Sequence, residues 1–316
     1  MRKRAIGQLE VSVVGIGCYN FGRLLDLEQT RTAIYSAIDH GINFLDTSDR
    51  YGNPPSSSET FIGDVLQNCR DKIVLATKFG GILDEQRQGA KAAYVKSATE
   101  ASLRRLRTDR IDLMQLHAPD PTTPIEETLG ALSDLVAEGK IREIGSSKFS
   151  GTQLREAATA AATKGTPRFV STQSEYSLLN RTVETDILAE CQCQGIAILP
   201  YFPLYMGLLS GQYRKDQPGS FIGILEEKRQ SAIFSERNMA TVAALTDYAQ
   251  QRGHTLLELA FAWLLSHPEI PSVIAGVSSL DHIAANASAA DWELTAADIA
   301  AIEKLAPLTP MTTAYG

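Results

Sequence analysis

Short β-rich apolar runs alternate with segments of helical periodicity almost from end to end of this chain, and that recurrence limits the folds open to it. The runs are Val13–Gly17, Ile42–Thr47, Ile73–Lys78, Ile111–His117, Ile141–Gly145, Phe169–Gln173, Ile196–Pro200 and Ser272–Ala275. Between the early ones lie Glu28–His40, Ser58–Asn68, Ala93–Leu106, Pro124–Ala137, Ser150–Thr163 and Thr182–Gln194, all with helical spacing. Strands of this length separated by such helices imply βαβ units and a parallel sheet. Eight units in 316 residues fit a closed (β/α)8 TIM barrel better than an open doubly wound sheet. The runs are mostly apolar on both faces, as expected when helices cover the outside and side chains fill the inside.

Local signals set the boundaries. Glu28–His40 places Thr32, Ile34, Ala37 and Ile38 on one stripe and ends at Gly41. Ser58, with Glu59 behind it, suits a helix N-cap. Pro124 suits a helix start, and Gly139 and Gly195 suit helix exits. Arg4–Ser12, with Gly7-Gln8 at its centre, reads as an N-terminal β-hairpin placed to plug the N-terminal end of the barrel. Residues 201–237 carry little periodicity, and an irregular stretch that long in a compact domain is usually functional. Extra helices at Ala240–Arg252 and Leu256–Ser266 precede the last run, and another spans about Thr295–Ala306. No linker interrupts the pattern, so one domain over residues 1–316 is expected.

Three of the runs end in a charged or titratable residue: Asp46, Lys78 and His117. Tyr51 follows the first of these by one turn, in Asp46-Thr47-Ser48-Asp49-Arg50-Tyr51-Gly52. Barrel active sites lie at the C-terminal ends of the strands, so neighbouring parallel strands would bring the four side chains together. A buried lysine needs an anionic partner, which Asp46 supplies. Lysine beside a phenol favours its ionised form, which lowers the tyrosine pKa from about 10 toward neutrality. Tyr51 then serves as a general acid or base, and His117 can orient a carbonyl beside it. An acid that protonates a carbonyl oxygen while hydride arrives at carbon is what carbonyl reduction requires.

Composition removes other classes. A formal net charge of −7 argues against nucleic-acid partners, which need a basic face. No apolar stretch reaches the roughly 18 residues of a membrane span, so no membrane partner is expected. The basic start lacks a following apolar segment, so no signal peptide is read and a cytoplasmic location is the default. Four cysteines, Cys18, Cys69, Cys191 and Cys193, are too few and too scattered for a disulfide framework.

The residues also carry a resemblance. Asp46-Thr47, Tyr51-Gly52, Ser58-Glu59, Ile62-Gly63, Lys78 and His117 resemble the aldo-keto reductase superfamily. Gly145–Phe149, Gln173–Ser177, Tyr201–Leu204, Gly207–Gly211 and Ile274–Ser278 with Asn286 extend the similarity along nearly the whole chain. It is similar to the bacterial general-oxidoreductase branch and to potassium-channel β subunits. The resemblance implies an NAD(P)(H)-dependent oxidoreductase that interconverts aldehydes or ketones and alcohols. Tyr51 would be the proton donor, Lys78 its modulator, Asp46 the holder of Lys78, and His117 the substrate-orienting group. A nicotinamide nucleotide would contact Cys18, Asp46, Ser147, Lys148, Gln173, Tyr201, Phe202, Pro203, Leu204, Gly207, Leu209, Gly211, Gly276, Ser278, His282 and Asn286. Tyr201 would stack on the nicotinamide, and Ser147 and Gln173 would bind its carboxamide. Tyr19, Phe21, Tyr51, Phe79 and His117 would line the substrate pocket, with Asn20 and the Gly52–Glu59 loop beside them. The family uses no metal.

Three departures from the family pattern stand out, one of them the Gly52–Glu59 loop, which two prolines and three serines lengthen beside Tyr51. Position 148, usually asparagine, is Lys148, which offers only donors to the carboxamide. Gln212, Ser279 and His282 occupy positions where NADP-preferring members place Arg or Lys. NADP is the family's usual cofactor, and NAD is the alternative these residues leave open. Arg214, Lys215, Lys228 and Arg229 are cations that could compensate.

A metal site from Asp46, Asp49, Glu59 and His117 lacks the imidazole clusters of barrel metal centres, with five histidines and no HxH or HExxH. A cofactor-binding regulatory protein of channel-β-subunit type, with little turnover, is the functional alternative. Barrel aldolases or phosphosugar isomerases would want a strand lysine without Tyr51 one turn after Asp46.

Overall fold

The computed structural model describes residues 1–212 and 227–308. Strands β1 (Lys3–Ile6) and β2 (Leu9–Ser12) form an antiparallel hairpin. Eight further strands form one parallel sheet: β3 (Val14–Gly17), β4 (Phe44–Asp46), β5 (Val74–Phe79), β6 (Ile111–Leu116), β7 (Ile141–Ser147), β8 (Ser171–Glu175), β9 (Ala197–Tyr201) and β10 (Val273–Gly276). Each pairs with the next in sequence, and β10 pairs with β3. β9 lies beside β10, and Ile198 N–H donates to the Glu269 carbonyl at 2.7 Å just before β10, which nearly closes the ring.

Helices α1 (Leu27–Asp39), α2 (Ser57–Leu66), α3 (Ala92–Leu106), α4 (Ile125–Ala137), α5 (Gly151–Lys164) and α6 (Ile187–Gln194) return the chain between strands. After β9 come α7 (Glu227–Ile233), α8 (Glu236–Gln250) and α9 (Leu256–Leu265). After β10 come α10 (Asp281–Ser288) and α11 (Ala296–Leu305). The alternation read from the sequence is therefore a (β/α)8 barrel with an N-terminal hairpin and extra C-terminal helices. Gly63 shows how tightly the helices pack, since a Cβ there would lie 2.2 Å from the Arg105 carbonyl oxygen.

The strand interior changes character along its length. Side chains of a strand alternate between faces. Outward residues such as Leu45, Leu75, Met114, Ile144 and Ile198 pack with the helices in the main core. Inward, Phe44, Ala76, Leu113, Leu199 and Ile274 meet Ile6, Leu9 and Val11 of the hairpin, so the hairpin does plug the N-terminal end. Arg4 fastens it by donating to the carbonyls of Leu265 (2.8 Å) and Ile270 (2.7 Å). Two residues further along β4, β5 and β6 the inward positions turn polar, at Asp46, Lys78 and Gln115, and Gln173 of β8 joins them through its bond to Asp46. On β4, β5 and β6 the inward face is thus apolar in the lower half and polar at the C-terminal end.

Several boundaries differ from the sequence reading. The α1 stripe is Thr30, Ala33, Ile34 and Ala37, while Thr32 is exposed and donates to the Glu28 carbonyl. Ser58 is not a cap. α2 begins at Ser57 behind a left-handed Ser56, and Ser58 Oγ donates to the Cys18 carbonyl at 2.9 Å. Thr182–Gln194 splits into a 3-10 turn, Thr182–Thr185, and α6. The stretch from 201 to 237 contains the turn Tyr205–Ser210, with left-handed Met206 and Gly207, and the polar helix α7. No described helix is long and apolar enough to cross a membrane.

Candidate active site

The polar inward belt leads directly to the residues at the strand ends. Register pairs Asp46 with Ala76, Lys78 with Gln115 and Ser147 with Gln173, so these strands present their C-terminal ends at one mouth. Lys78 Nζ lies 2.5 Å from Asp46 Oδ2, 3.0 Å from the Thr47 carbonyl and 3.3 Å from Tyr51 Oη. The three donor positions of the ammonium are thereby used. Asp46 Oδ1 accepts from Gln115 Nε2 at 2.9 Å and from Gln173 Nε2 at 3.1 Å. A buried ion pair holds only when its remaining lone pairs are satisfied, and the two glutamines do this. The structure therefore brings Asp46, Lys78 and Tyr51 together as the strand-end reading expects.

His117 stands beside them, its ring edge-to-face with Tyr51 at 6.1 Å between centroids. Its Nδ1 lies 3.2 Å from Ser48 Oγ. Among the described residues its Nε2 has no protein partner. Ser48 Oγ also donates to Asp49 Oδ1 at 3.2 Å and accepts from the Arg50 backbone N–H at 3.2 Å. Asp49 Oδ2 is buried without a hydrogen-bond partner.

Electrostatics follows from burial at this end of the barrel. Burial pushes the Lys78 ammonium toward neutrality, but Asp46 and Tyr51 hold its pKa above the ordinary value. Burial also lifts the Tyr51 phenol above its usual value, and Lys78 offsets this only in part. That corrects the expectation of a lowered phenol, because desolvation of the phenolate outweighs the one nearby cation. Burial, with Lys78, Lys148 and Arg50, holds His117 well below the usual histidine range, so its ring is neutral. Burial and then Glu59 raise the Asp49 carboxyl to about 7.

The remaining sequence-derived site residues range from buried to exposed. Cys18, Phe21, Phe79 and Leu209 are fully buried, and Cys18 Sγ points to the Ile16 carbonyl at 3.5 Å. Ser147 and Gln173 are buried too, with Ser147 Oγ donating to the Gln173 carbonyl at 3.1 Å. Tyr19, Lys148, Gly211, Gly276 and Ser278 are exposed, while Tyr201, Phe202, Leu204, Gly207 and His282 are half-buried and Pro203 is buried. Tyr19 packs edge-on against Tyr51 at 5.3 Å, and Asn20 Nδ2 donates to the Val277 carbonyl at 3.0 Å, tying the first strand-end loop to the last. Lys148 has a left-handed backbone and donates its N–H to the Gln173 carbonyl at 2.9 Å. Arg214 and Lys215, and the side chains of Lys228 and Arg229, lie outside the described residues.

One buried donor bears on nucleotide binding. Asn286 is nearly enclosed on α10, yet its Nδ2 has no hydrogen-bond partner. An orphaned buried amide fits a bound polar group such as a nucleotide, and the exposed Gly276 has open space where a side chain would stand. Ser278 N–H reaches only a long 3.5 Å contact to His282 Nδ1. Among the described residues no three His, Cys, Asp or Glu side chains are grouped to hold a metal.

Sequence reasoning missed Gln115 and Ser48 and weighed Asp49 only as a metal ligand. Gln115 left only a weak signal: it shares the period-two face of Ile111 and Leu113, in a run that already carries Asp112. Ser48 had none, since its importance depends on His117 from another strand.

Comparison with known proteins agrees with this geometry. The pattern of the Aldo/keto reductase family matches residues 13–307. The chain is 31% identical over 299 residues to a probable voltage-gated potassium channel subunit beta of Arabidopsis thaliana, covering 90% of this chain and 88% of that protein. It is 29% identical over 297 residues to an L-glyceraldehyde 3-phosphate reductase of Escherichia coli (strain K12), covering 89% and 84%. With a matching pattern from the first barrel strand to the last helix, and Asp46, Tyr51, Lys78 and His117 converging at the barrel mouth, the chain belongs to the aldo/keto reductase family.

Proposed function

We propose that the protein is an NAD(P)(H)-dependent oxidoreductase that interconverts aldehydes or ketones and alcohols, with Tyr51 as general acid and base. The observation that carries this reading is the 3.3 Å contact between Lys78 Nζ and Tyr51 Oη, anchored by Asp46 at 2.5 Å. A raised phenol pKa keeps Tyr51 protonated, which suits a donor of a proton to a developing alkoxide. As the proton leaves, Lys78 stabilises the phenolate that forms, so its charge acts where charge develops. His117 is neutral, and its Nε2, without a protein partner among the described residues, could carry an N–H that orients the carbonyl oxygen.

A nicotinamide nucleotide bound at this mouth supplies the hydride. Ser147 and Gln173 would hold its carboxamide, Tyr201 its ring face, and Gly276, Ser278 and Asn286 its phosphates and adenosine side. The unpartnered Asn286 amide supports that placement. The family leaves NADP or NAD open, and Gln212, Ser279 and His282 offer no permanent cation for a 2′-phosphate. The substrate would be a small carbonyl compound or alcohol. Similarity to the named reductase favours a phosphorylated aldehyde as one member of the first panel to assay.

Similarity to a channel subunit favours a second reading, a cofactor-binding regulatory protein with little turnover. A panel of aldehydes, ketones and alcohols run in both directions with both nucleotides separates the two. Turnover abolished by Tyr51→Phe supports the enzyme; tight nucleotide binding without turnover on any panel member supports the regulator.

A further inference from the structure

We propose that Ser48 and Asp49 are positioning residues for His117: Asp49, acting through the Ser48 hydroxyl, fixes which imidazole nitrogen carries the proton. The inference rests on the reading that His117 Nε2 faces the substrate oxygen. It follows from counting hydrogens at one oxygen. A serine hydroxyl has one hydrogen and two lone pairs. Ser48 Oγ already accepts from the Arg50 N–H, and its remaining partners are His117 Nδ1 and Asp49 Oδ1. One of them must give Ser48 a hydrogen and the other must receive one.

Two arrangements satisfy this. With Asp49 neutral, its O–H donates to Ser48, Ser48 donates to Nδ1, and the ring proton sits on Nε2. With Asp49 ionised, Ser48 donates to the carboxylate, Nδ1–H donates to Ser48, and Nε2 presents a lone pair. Passing from the first to the second, the Asp49 hydrogen moves to Ser48 and that of Ser48 moves to Nδ1. The Nε2 proton leaves to solvent, so one proton is lost overall. An Nε2–H donates to a carbonyl oxygen, whereas an Nε2 lone pair accepts from an alcohol O–H. Neutral Asp49 therefore suits reduction, and ionised Asp49 suits oxidation.

The surroundings of Asp49 put both arrangements within reach. Its side chain is buried, and Oδ2 has no partner to stabilise a charge. Glu59 of α2 opposes its ionisation, while Arg105 of α3 and Arg50 favour it. Tyr94 of α3 also faces it, and its phenol is raised to about 12 by burial and then by Asp49. The backbone is fixed: Asp49 N–H donates to the Lys78 carbonyl at 3.2 Å, and Ser56 Oγ donates to the Asp49 carbonyl at 2.6 Å. The carboxyl titrates at about 7 while His117 stays neutral, so a change of tautomer rather than of ring charge is the expected response.

Nitrogen NMR of the histidine side chains of the full-length protein tests this, with His117→Asn identifying the His117 signals. The wild type should show the Nε2–H form well below the Asp49 value and the Nδ1–H form well above it. Asp49→Asn should hold one form at every pH, and Ser48→Ala should uncouple the ring from Asp49. In the wild type, reductive kcat/KM should fall by up to about tenfold across that step, the worth of one hydrogen bond, and the fall should vanish in both variants. A single wild-type tautomer at all pH values, or a switch that persists in Ser48→Ala or Asp49→Asn, overturns the proposal. The spectrum is read without substrate, so its failure leaves the role of Tyr51 standing. A fully active Tyr51→Phe would overturn that role without touching the tautomer.

Discussion

Lys78 and Asp46 meet at 2.5 Å inside the barrel, where neither side chain is open to water. A pair in that position is stabilising only while both partners remain. The two glutamines on Asp46 and the phenol on Lys78 complete the set, so Tyr51 and the upper barrel interior are one hydrogen-bonded unit.

Removing one partner should therefore unsettle the fold as well as the chemistry. Lys78→Met leaves Asp46 charged and uncompensated, and should lower unfolding free energy by about 3–5 kcal/mol. Urea unfolding followed by circular dichroism measures this. A loss below about 1 kcal/mol would mean that the pair is not held dry as described.

The legible part of this architecture follows from where physical signals are local. The alternation of runs and helices reports the barrel because each βαβ unit carries its own periodicity. Asp46, Lys78 and His117 stood out because a charge ending an apolar run has no local explanation. Gln115 was hidden because a single neutral polar residue in such a run has many local explanations. The direction of the Tyr51 shift was misread because burial, which outweighs the Lys78 cation, is set by residues far apart in sequence. The α7 helix was missed because its seven residues, Glu227–Ile233, are largely polar and show no apolar stripe. Ser58 looked like a cap because cap chemistry is local, yet its hydroxyl is engaged with Thr47 and Cys18 at the ends of the neighbouring strands β4 and β3.

Asp49 should make stability depend on pH in a direction opposite to an ordinary carboxylate. Its folded value is about 7, against about 3.9 for a free side chain. Between these values the folded state binds more protons, so stability falls as pH rises through the window and stays low above it. The full effect is on the order of 4 kcal/mol. Asp49→Asn should flatten that slope in chemical unfolding across the window. An unchanged slope would contradict the buried, poorly solvated carboxyl.

Asn286 should matter to nucleotide binding and not to folding. Its buried amide has no partner, so Asn286→Ala removes an unsatisfied group and should leave thermal stability unchanged or raised. The same variant should weaken NADPH binding by about tenfold in fluorescence titrations, the worth of one hydrogen bond. Unchanged affinity would remove Asn286 from the cofactor site.

Cofactor choice has a direct readout. With Gln212, Ser279 and His282 in place of permanent cations, NADPH should be preferred over NADH by less than about a hundredfold, roughly 2.8 kcal/mol. Parallel fluorescence titrations measure the ratio. A larger preference would show that other cations hold the 2′-phosphate.

The central claim is that Tyr51 is the proton donor and Lys78 its electrostatic support. Pre-steady-state turnover of Tyr51→Phe, measured beside its affinity for NADPH, tests that claim most directly. The account predicts a fall in turnover of about 10²–10⁴-fold with cofactor affinity nearly unchanged. Turnover within a few-fold of the wild type, or loss of cofactor binding together with turnover, would contradict it.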